Sequence, residues 1–274
     1  VGMIWEDRPE LSAEPAWVLE EKYAGKAAAD KIAKLRKTME KVHATVHVLT
    51  SLDDIAWLLN IRGNDIAYNP VVLSYVMVTM DEVRLFINEK VLDGRIREYL
   101  NGLGVKVLPY NDIYKEAGAL QGEKVLFEKE RGNYALYQAM DGKNEIIDQM
   151  NPTSQAKAEK NPVEVENEKK AHIKDGVAVT RFIYWLKHQI GKEPVSEISA
   201  QEKLESFRKE QEGYLEPSFG TISAYGSNAA MCHYSATEES NTMLEPRSFY
   251  LVDSGGQYYE GTTDITRTIS LGEL

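Results

Sequence analysis

The chain has 274 residues with 43 acidic against 32 basic side chains, and its formal net charge of -11 repels phosphate backbones and anionic lipid, arguing against nucleic-acid and membrane partners. Its length suits two domains and its 43% hydrophobic content can fill their cores. The single cysteine, Cys232, closes no internal disulfide and fits a reducing cytoplasm, while no apolar run reaches membrane-spanning length; that no leader is seen carries little weight, since the first residue is Val1.

The opening VGMIWEDRPELSAEPAW has no steady period and reads as an extended connector or a strand remnant. KAAADKIAKLRKTMEKV sets Ile32, Leu35 and Met39 at helical spacing. TVHVLT alternates as a strand, and SLDDIAWLLN predicts a helix that Ser51 opens, with Asp54 completing its N-cap. SYVMVTM and VRLFIN flank Asp81-Glu82 as a hairpin. Helix RIREYLNGLG, strand VKVLPY, helix NDIYKEAGAL and strand KVLFE then alternate, which predicts an α/β layer domain with a mixed sheet. The polar run from Asn151 to Pro162 breaks the periodicity and marks the boundary between residues 1–160 and 161–274.

Beyond the boundary, a long helix carries Ala171, Ala178, Val179, Phe182, Ile183, Leu186 and Ile190 on one stripe. SAQEKLESFRKEQEG follows as a helix with Ser199 and Glu202 in capping-box register and Gly213 past its end. Glycine, serine, tyrosine and β-branched residues then signal a strand-rich sheet, so the whole is α/β (α+β) in class.

In RSFYLVDSGGQYYEGTTDITRTIS, two alternating runs surround a Gly-containing turn and predict an antiparallel hairpin. If its turn centres near Tyr258 and Tyr259, Asp253 and Asp264 oppose each other with Cβ atoms ~5 Å apart, close enough to share a pair of cations. On spacing alone the plainer role, acids flanking a turn, comes ahead of metal binding. His233, in SNAAMCHYS, suits donation to a carbonyl or an oxyanion, against the plainer role of a histidine packed beside Tyr234. Cys232 and His233, read on a strand, face opposite sides and cannot pair as nucleophile and base. His43 and His47 sit four apart in a strand-like segment, on one face but ~13 Å from each other, too far to share a metal. His172 falls on the apolar stripe as a satisfied histidine, and RGNDIAYNP from Arg62 is a polar loop.

The stretches IWEDRPE, LDDIAWLLNIRGNDIAYNPV, KKAHIKDGVAV, EISAQEKLESFR, PSFGTISAYGSNAAMCHY and YLVDSGGQYYEGTTDITRTISLG together resemble the Xaa-Pro aminopeptidases, the aminopeptidase P family, in its long three-domain form. The resemblance covers nearly the whole chain. It implies a creatinase-like middle domain followed by the first half of a pita-bread metallopeptidase domain. By motif match, Asp253 supplies a carboxylate to one metal ion and Asp264 bridges two ions, most often manganese. His233 matches a histidine that contacts substrate and helps stabilise the tetrahedral intermediate. The implied reaction is release of the first residue from peptides with proline second, by a water or hydroxide bridging the two ions.

Five protein ligands are expected in that family. One histidine, two glutamates and the general base would lie beyond Leu274, and a first domain would precede Val1. The 274 residues are therefore expected to be an internal piece without activity of its own. A homodimer is a further expectation, since such enzymes often pair through the catalytic domain. A non-catalytic, peptide-binding pita-bread protein and a prolidase- or creatinase-like hydrolase stand as alternatives.

Overall fold

A computed structural model describes residues 4–273, divided between a first unit of residues up to 66 with 70–161 and a second of 67–69 with residues from 162 onward. The first unit runs through β1 (Trp17–Val18), α1 (Glu21–Ala24), α2 (Ala28–Lys41), β2 (Val46–Leu49), α3 (Leu52–Leu59), β3 (Ile61–Arg62), β4 (Ser74–Thr79) and β5 (Val83–Ile87). It continues with α4 (Gly94–Gly102), β6 (Val105–Pro109), α5 (Asp112–Ala119), β7 (Lys124–Leu126), α6 (Tyr134–Met140), β8 (Glu145–Ile147) and α7 (Pro152–Ala158).

Six strands form one mixed sheet in the order β6-β5-β4-β2-β7-β8. β4 pairs antiparallel with β2 and β5, whereas β6, β7 and β8 join in parallel. The strand period of two feeds two cores. Leu49, Val76, Val78, Leu85 and Ile87 meet the apolar faces of α2, α3 and α4, whereas Val46, Val48, Met77, Phe86 and Val125 meet α5 and α6. Ile32, Leu35 and Met39 are buried as their spacing predicts.

Three local expectations change in this unit, and one segment carries elements for which none was stated. Ser51 makes no side-chain cap, and Asp54 is fully buried instead, accepting from Ser154 Oγ at 2.8 Å and pairing with Lys157 at 2.9 Å. Residues 133–147 supply α6 and β8. The run from Asn151 holds α7 and not unstructured chain, because α7 binds α3 through Ser154 and Lys157 and so shows no apolar stripe. His43 lies in a turn with φ 57, off the strand that carries His47.

His47 is buried in β2, with Nδ1 2.9 Å from the Leu126 carbonyl and, among the described residues, no hydrogen-bond partner for Nε2. Burial, only partly offset by that carbonyl and by Asp54, lowers its pKa.

The second unit consists of α8 (Pro162–Gln189), α9 (Glu197–Lys209), β9 (Tyr214–Pro217), β10 (Ile222–Tyr225), β11 (Phe249–Ser254), β12 (Gly256–Tyr258) and β13 (Ile265–Ser270). α8 and α9 pack on one face of the antiparallel sheet β10-β11-β13, burying Ala178, Phe182 and Leu186 against Leu204, Tyr250, Val252 and Ile269. The apolar stripe holds, but His172 is off it: the ring is exposed and Nδ1 faces the Glu168 carbonyl at 2.9 Å. α9 begins three residues before its expected start, because Ser196 and Ser199, not Ser199 and Glu202, form the capping box. Among the described residues no helix is long and apolar enough to cross a membrane.

Candidate metal and catalytic site

β11 and β13 pair antiparallel as expected, yet the chain between them is not a simple turn. It leaves the sheet as β12, which pairs with β9, and returns through residues 259–264. This detour moves the register. Asp253 opposes Thr266, not Asp264, and Asp264 falls just before β13 begins.

Direct opposition of the two acids is thereby corrected to a diagonal placement, with Asp264 two residues from Asp253's partner. By parity Asp264 continues the row of Thr266, Asp253's partner, one residue before the start of β13. That face is opposite the one α8 and α9 cover: Val252 and Ser254 are buried, Asp253 is half-buried and Asp264 is exposed. Thr266 Oγ1 donates to Asp253 Oδ1 at 2.6 Å, and among the described residues neither acid is paired with a lysine or arginine.

The acids are held from behind by groups that patterning alone did not single out. Asp175 on α8 and Arg208 on α9 form a fully buried ion pair, with Arg208 Nε donating to Oδ1 at 2.6 Å and Nη2 to Oδ2 at 3.2 Å. Arg208 Nη2 also donates to Ser254 Oγ at 3.0 Å, and Thr263 Oγ1 donates to Asp175 Oδ2 at 2.7 Å. Ser254 follows Asp253 and Thr263 precedes Asp264. One ion pair thus holds the side-chain hydroxyls of the residues beside both acids.

Tyr258 donates to Asp175 Oδ1 at 3.2 Å; burial, then the Asp175 charge, push its hydroxyl above the ordinary range and keep it a donor. The signal for Asp175 was present in the sequence. An acid four residues after Ala171 and three before Ala178 lies on the stripe, where a charge needs a partner.

Cys232 and His233 are not on a strand: they sit in an exposed turn after a 3-10 segment at Gly226–Ala230, and His233 takes φ 55. Among the described residues no hydrogen bond or ion pair links His233 to Asp253 or Asp264.

Carboxylate oxygens are the donors that hard divalent cations prefer. Two unpaired acids on one sheet face have that chemistry, but they do not complete a coordination shell. Among the described residues no cluster of three or more histidine, cysteine, aspartate or glutamate side chains forms.

Comparison with known proteins now decides the family. Residues 7–164 match the creatinase/prolidase N-terminal domain model. The chain belongs to that family. Residues 166–274 match metallopeptidase family M24, so the creatinase-like unit is followed by a unit of pita-bread type.

Curated relatives include a probable Xaa-Pro aminopeptidase P of Sordaria macrospora, 40% identical across 100% of this chain and 47% of its own length. Another of that description, from Neurospora crassa, is 39% identical across 100% of this chain and 42% of its own. The chain therefore spans about half the length of the curated relatives it matches. Among solved structures, an X-prolyl aminopeptidase from Caenorhabditis elegans, described as a cytosolic enzyme with a di-nuclear active site, superposes with a TM-score of 0.91 at 33% identity. It is matched over 98% of this chain and 45% of its own. An Xaa-Pro dipeptidase from Bacillus anthracis shares the fold at 23% identity with a TM-score of 0.66, over 90% of this chain and 66% of its own.

Proposed function

We propose that the protein to which these residues belong is a metal-dependent Xaa-Pro aminopeptidase, in which Asp253 and Asp264 hold part of a two-ion centre and His233 contacts the substrate. The observation that carries this reading is the pair of carboxylates on one sheet face, clear of lysine and arginine and braced through Ser254 and Thr263. Family M24 membership of this unit, and a structural relative described as di-nuclear, support two divalent ions, with manganese the proposed metal. Such ions, when bound, lower the pKa of water and polarise a carbonyl.

The residues here supply the rest of the chemistry they can. Asp253, oriented by Thr266, and Asp264 present oxygen donors, and in this reading the exposed His233 imidazole donates to the substrate carbonyl. Preference for proline has a physical basis: the bond before it lacks an N–H, and the preceding residue is conformationally restricted, so a site shaped for ordinary peptides accepts it poorly.

The reading extends to the cell and to assembly. The lone exposed cysteine and a relative described as cytosolic favour a cytoplasmic location, and dimerisation through the second unit is read by analytical ultracentrifugation.

The experiment is an assay of the full-length protein with manganese on a peptide bearing proline second. Metal-dependent release of the first residue, abolished by Asp264→Asn, is expected; release that ignores both metal and substitution would end the proposal. The 274 residues alone, with two of the proposed ligands, are expected to bind manganese weakly and cleave nothing. Calorimetry showing tight binding of two ions to them would refute that part.

A further inference from the structure

Glu197 opens α9 with no exposed surface, yet among the described residues no lysine, arginine or histidine pairs with it. Neutral donors satisfy it instead. Oε1 accepts the Tyr225 N–H at 2.6 Å and the Asn228 amide at 3.0 Å, whereas Oε2 accepts the Tyr234 hydroxyl at 2.8 Å and the Thr242 N–H at 3.0 Å. The positive end of the α9 dipole adds to this.

All four donors belong to one strap, residues 225–242, which leaves β10 and returns beside the start of α9. The Glu197 N–H donates to the Thr242 carbonyl at 3.0 Å, so the helix start is stitched to the strap from both its side chain and its backbone. Inside the strap, Asn228 reaches the Tyr234 hydroxyl at 3.0 Å and Thr242 Oγ1 at 3.1 Å. The carboxylate is the hub on which the beginning, middle and end of the strap converge.

His233 rides this strap next to Tyr234, whose hydroxyl also meets Asn228 and Ser240. Tyr234 is buried, whereas His233 is exposed and adopts the left-handed φ of 55. A non-glycine residue persists in that conformation only where its surroundings over-determine it. Here the determinant is visible: Tyr234 pinned inward on Glu197 fixes the backbone at the following peptide and turns the preceding imidazole out.

We infer that Glu197 is the positioning residue for His233, setting its presentation through Tyr234 and the strap. What His233 does for the reaction rests on the function proposed above; how His233 is held does not.

The test uses the full-length protein. Glu197→Gln keeps size and shape but replaces an acceptor oxygen with an amide whose N–H groups meet N–H and O–H donors. Tyr234→Phe removes the hydroxyl that ties the middle of the strap to Glu197, together with its contacts to Asn228 and Ser240. Tyr250→Phe deletes the 2.7 Å contact between the Tyr250 and Ser223 hydroxyls, leaves Ser223 free to donate to the Glu197 carbonyl and leaves all four donors on the Glu197 carboxylate, and so controls for lost stability.

The readouts are the His233 imidazole signals in histidine-selective NMR spectra, and kcat and KM on a proline-second peptide. Glu197→Gln and Tyr234→Phe are expected to move or broaden the His233 signals and to lower kcat about 100-fold with KM nearly constant, as misplacement of a reacting group does. Tyr250→Phe is expected to leave the His233 signals and kcat native even where it lowers Tm. If Glu197→Gln does not fold, Tyr234→Phe decides the matter. Native His233 signals in a folded Glu197→Gln or Tyr234→Phe protein, or equal movement in Tyr250→Phe, would overturn the inference. Undiminished turnover in His233→Asn would instead remove the functional reading, because the spectra do not pass through catalysis.

Discussion

Replacing Arg208 with methionine removes the cation from the buried network behind the two acids. Asp175 then keeps the Thr263 and Tyr258 hydroxyls but loses two guanidinium bonds, of 2.6 and 3.2 Å, and Ser254 loses its donor. Stranding one charge of a buried pair costs ~3–5 kcal/mol. Adding Asp175→Asn should recover part of this, because a neutral amide oxygen still accepts from Thr263 or Tyr258 and no charge is left buried. What remains is the loss of one or two hydrogen bonds, ~1–3 kcal/mol.

The double variant is thus expected to be more stable than Arg208→Met alone. Hydrogen exchange across residues 253–264 reads this directly, at ~1.4 kcal/mol per tenfold in rate. Arg208→Met should speed exchange by about two to three and a half decades, and the double variant by about one to two. Arg247→Met, which breaks an exposed pair with Glu245, should change nothing in that segment. Exchange equally fast in the single and double variants would show that the ion pair is not what braces Ser254 and Thr263.

Three further outcomes can be checked. Gly255→Ala drives a Cβ into the Thr263 carbonyl oxygen and Ser218 Oγ, and should cost about 2–3 kcal/mol with protection lost at residues 254–263, measured by urea unfolding and exchange. Thr266→Val removes the 2.6 Å bond to Asp253 and should weaken manganese binding by the full-length protein roughly 10- to 100-fold by calorimetry, with the circular dichroism unchanged. His47 is kept neutral by burial, its pKa below the ordinary 6.5, so the unfolded chain binds the extra proton. The stability it contributes is intact above ~6.5 and is lost as pH falls from there toward the depressed folded value, by at most ~1.4 kcal/mol per unit. Urea midpoints of the first unit should show this slope, and His47→Gln should flatten it.

The strongly periodic elements were legible because apolar spacing reports burial: α2, the α8 stripe and the alternating strands of the first unit all follow it. Elements held by polar contacts were not. α7 escaped notice because Ser154 and Lys157 hold it to Asp54 in place of an apolar face. The start of α9 slipped because two serines three apart cap as well as the expected serine and glutamate. In the candidate site the acids and their shared face could be read, because the detour through β12 shifts the register by two residues, an even step that keeps the same parity. Their register could not, because β12 leaves to pair with β9, a partner some forty residues earlier in the chain. Asp175 and Arg208 meet only through the packing of two helices, and no local pattern announces that.

The left-handed backbone at position 233 decides how mutagenesis there must be interpreted. Glycine at this site relieves a conformational penalty that histidine bears, alanine bears it without an imidazole, and a β-branched side chain fits worst. Apparent tolerance or intolerance among such substitutions would mix local chain geometry with lost chemistry. Asparagine, which accepts the same φ readily, is the replacement whose effect reports the missing ring alone.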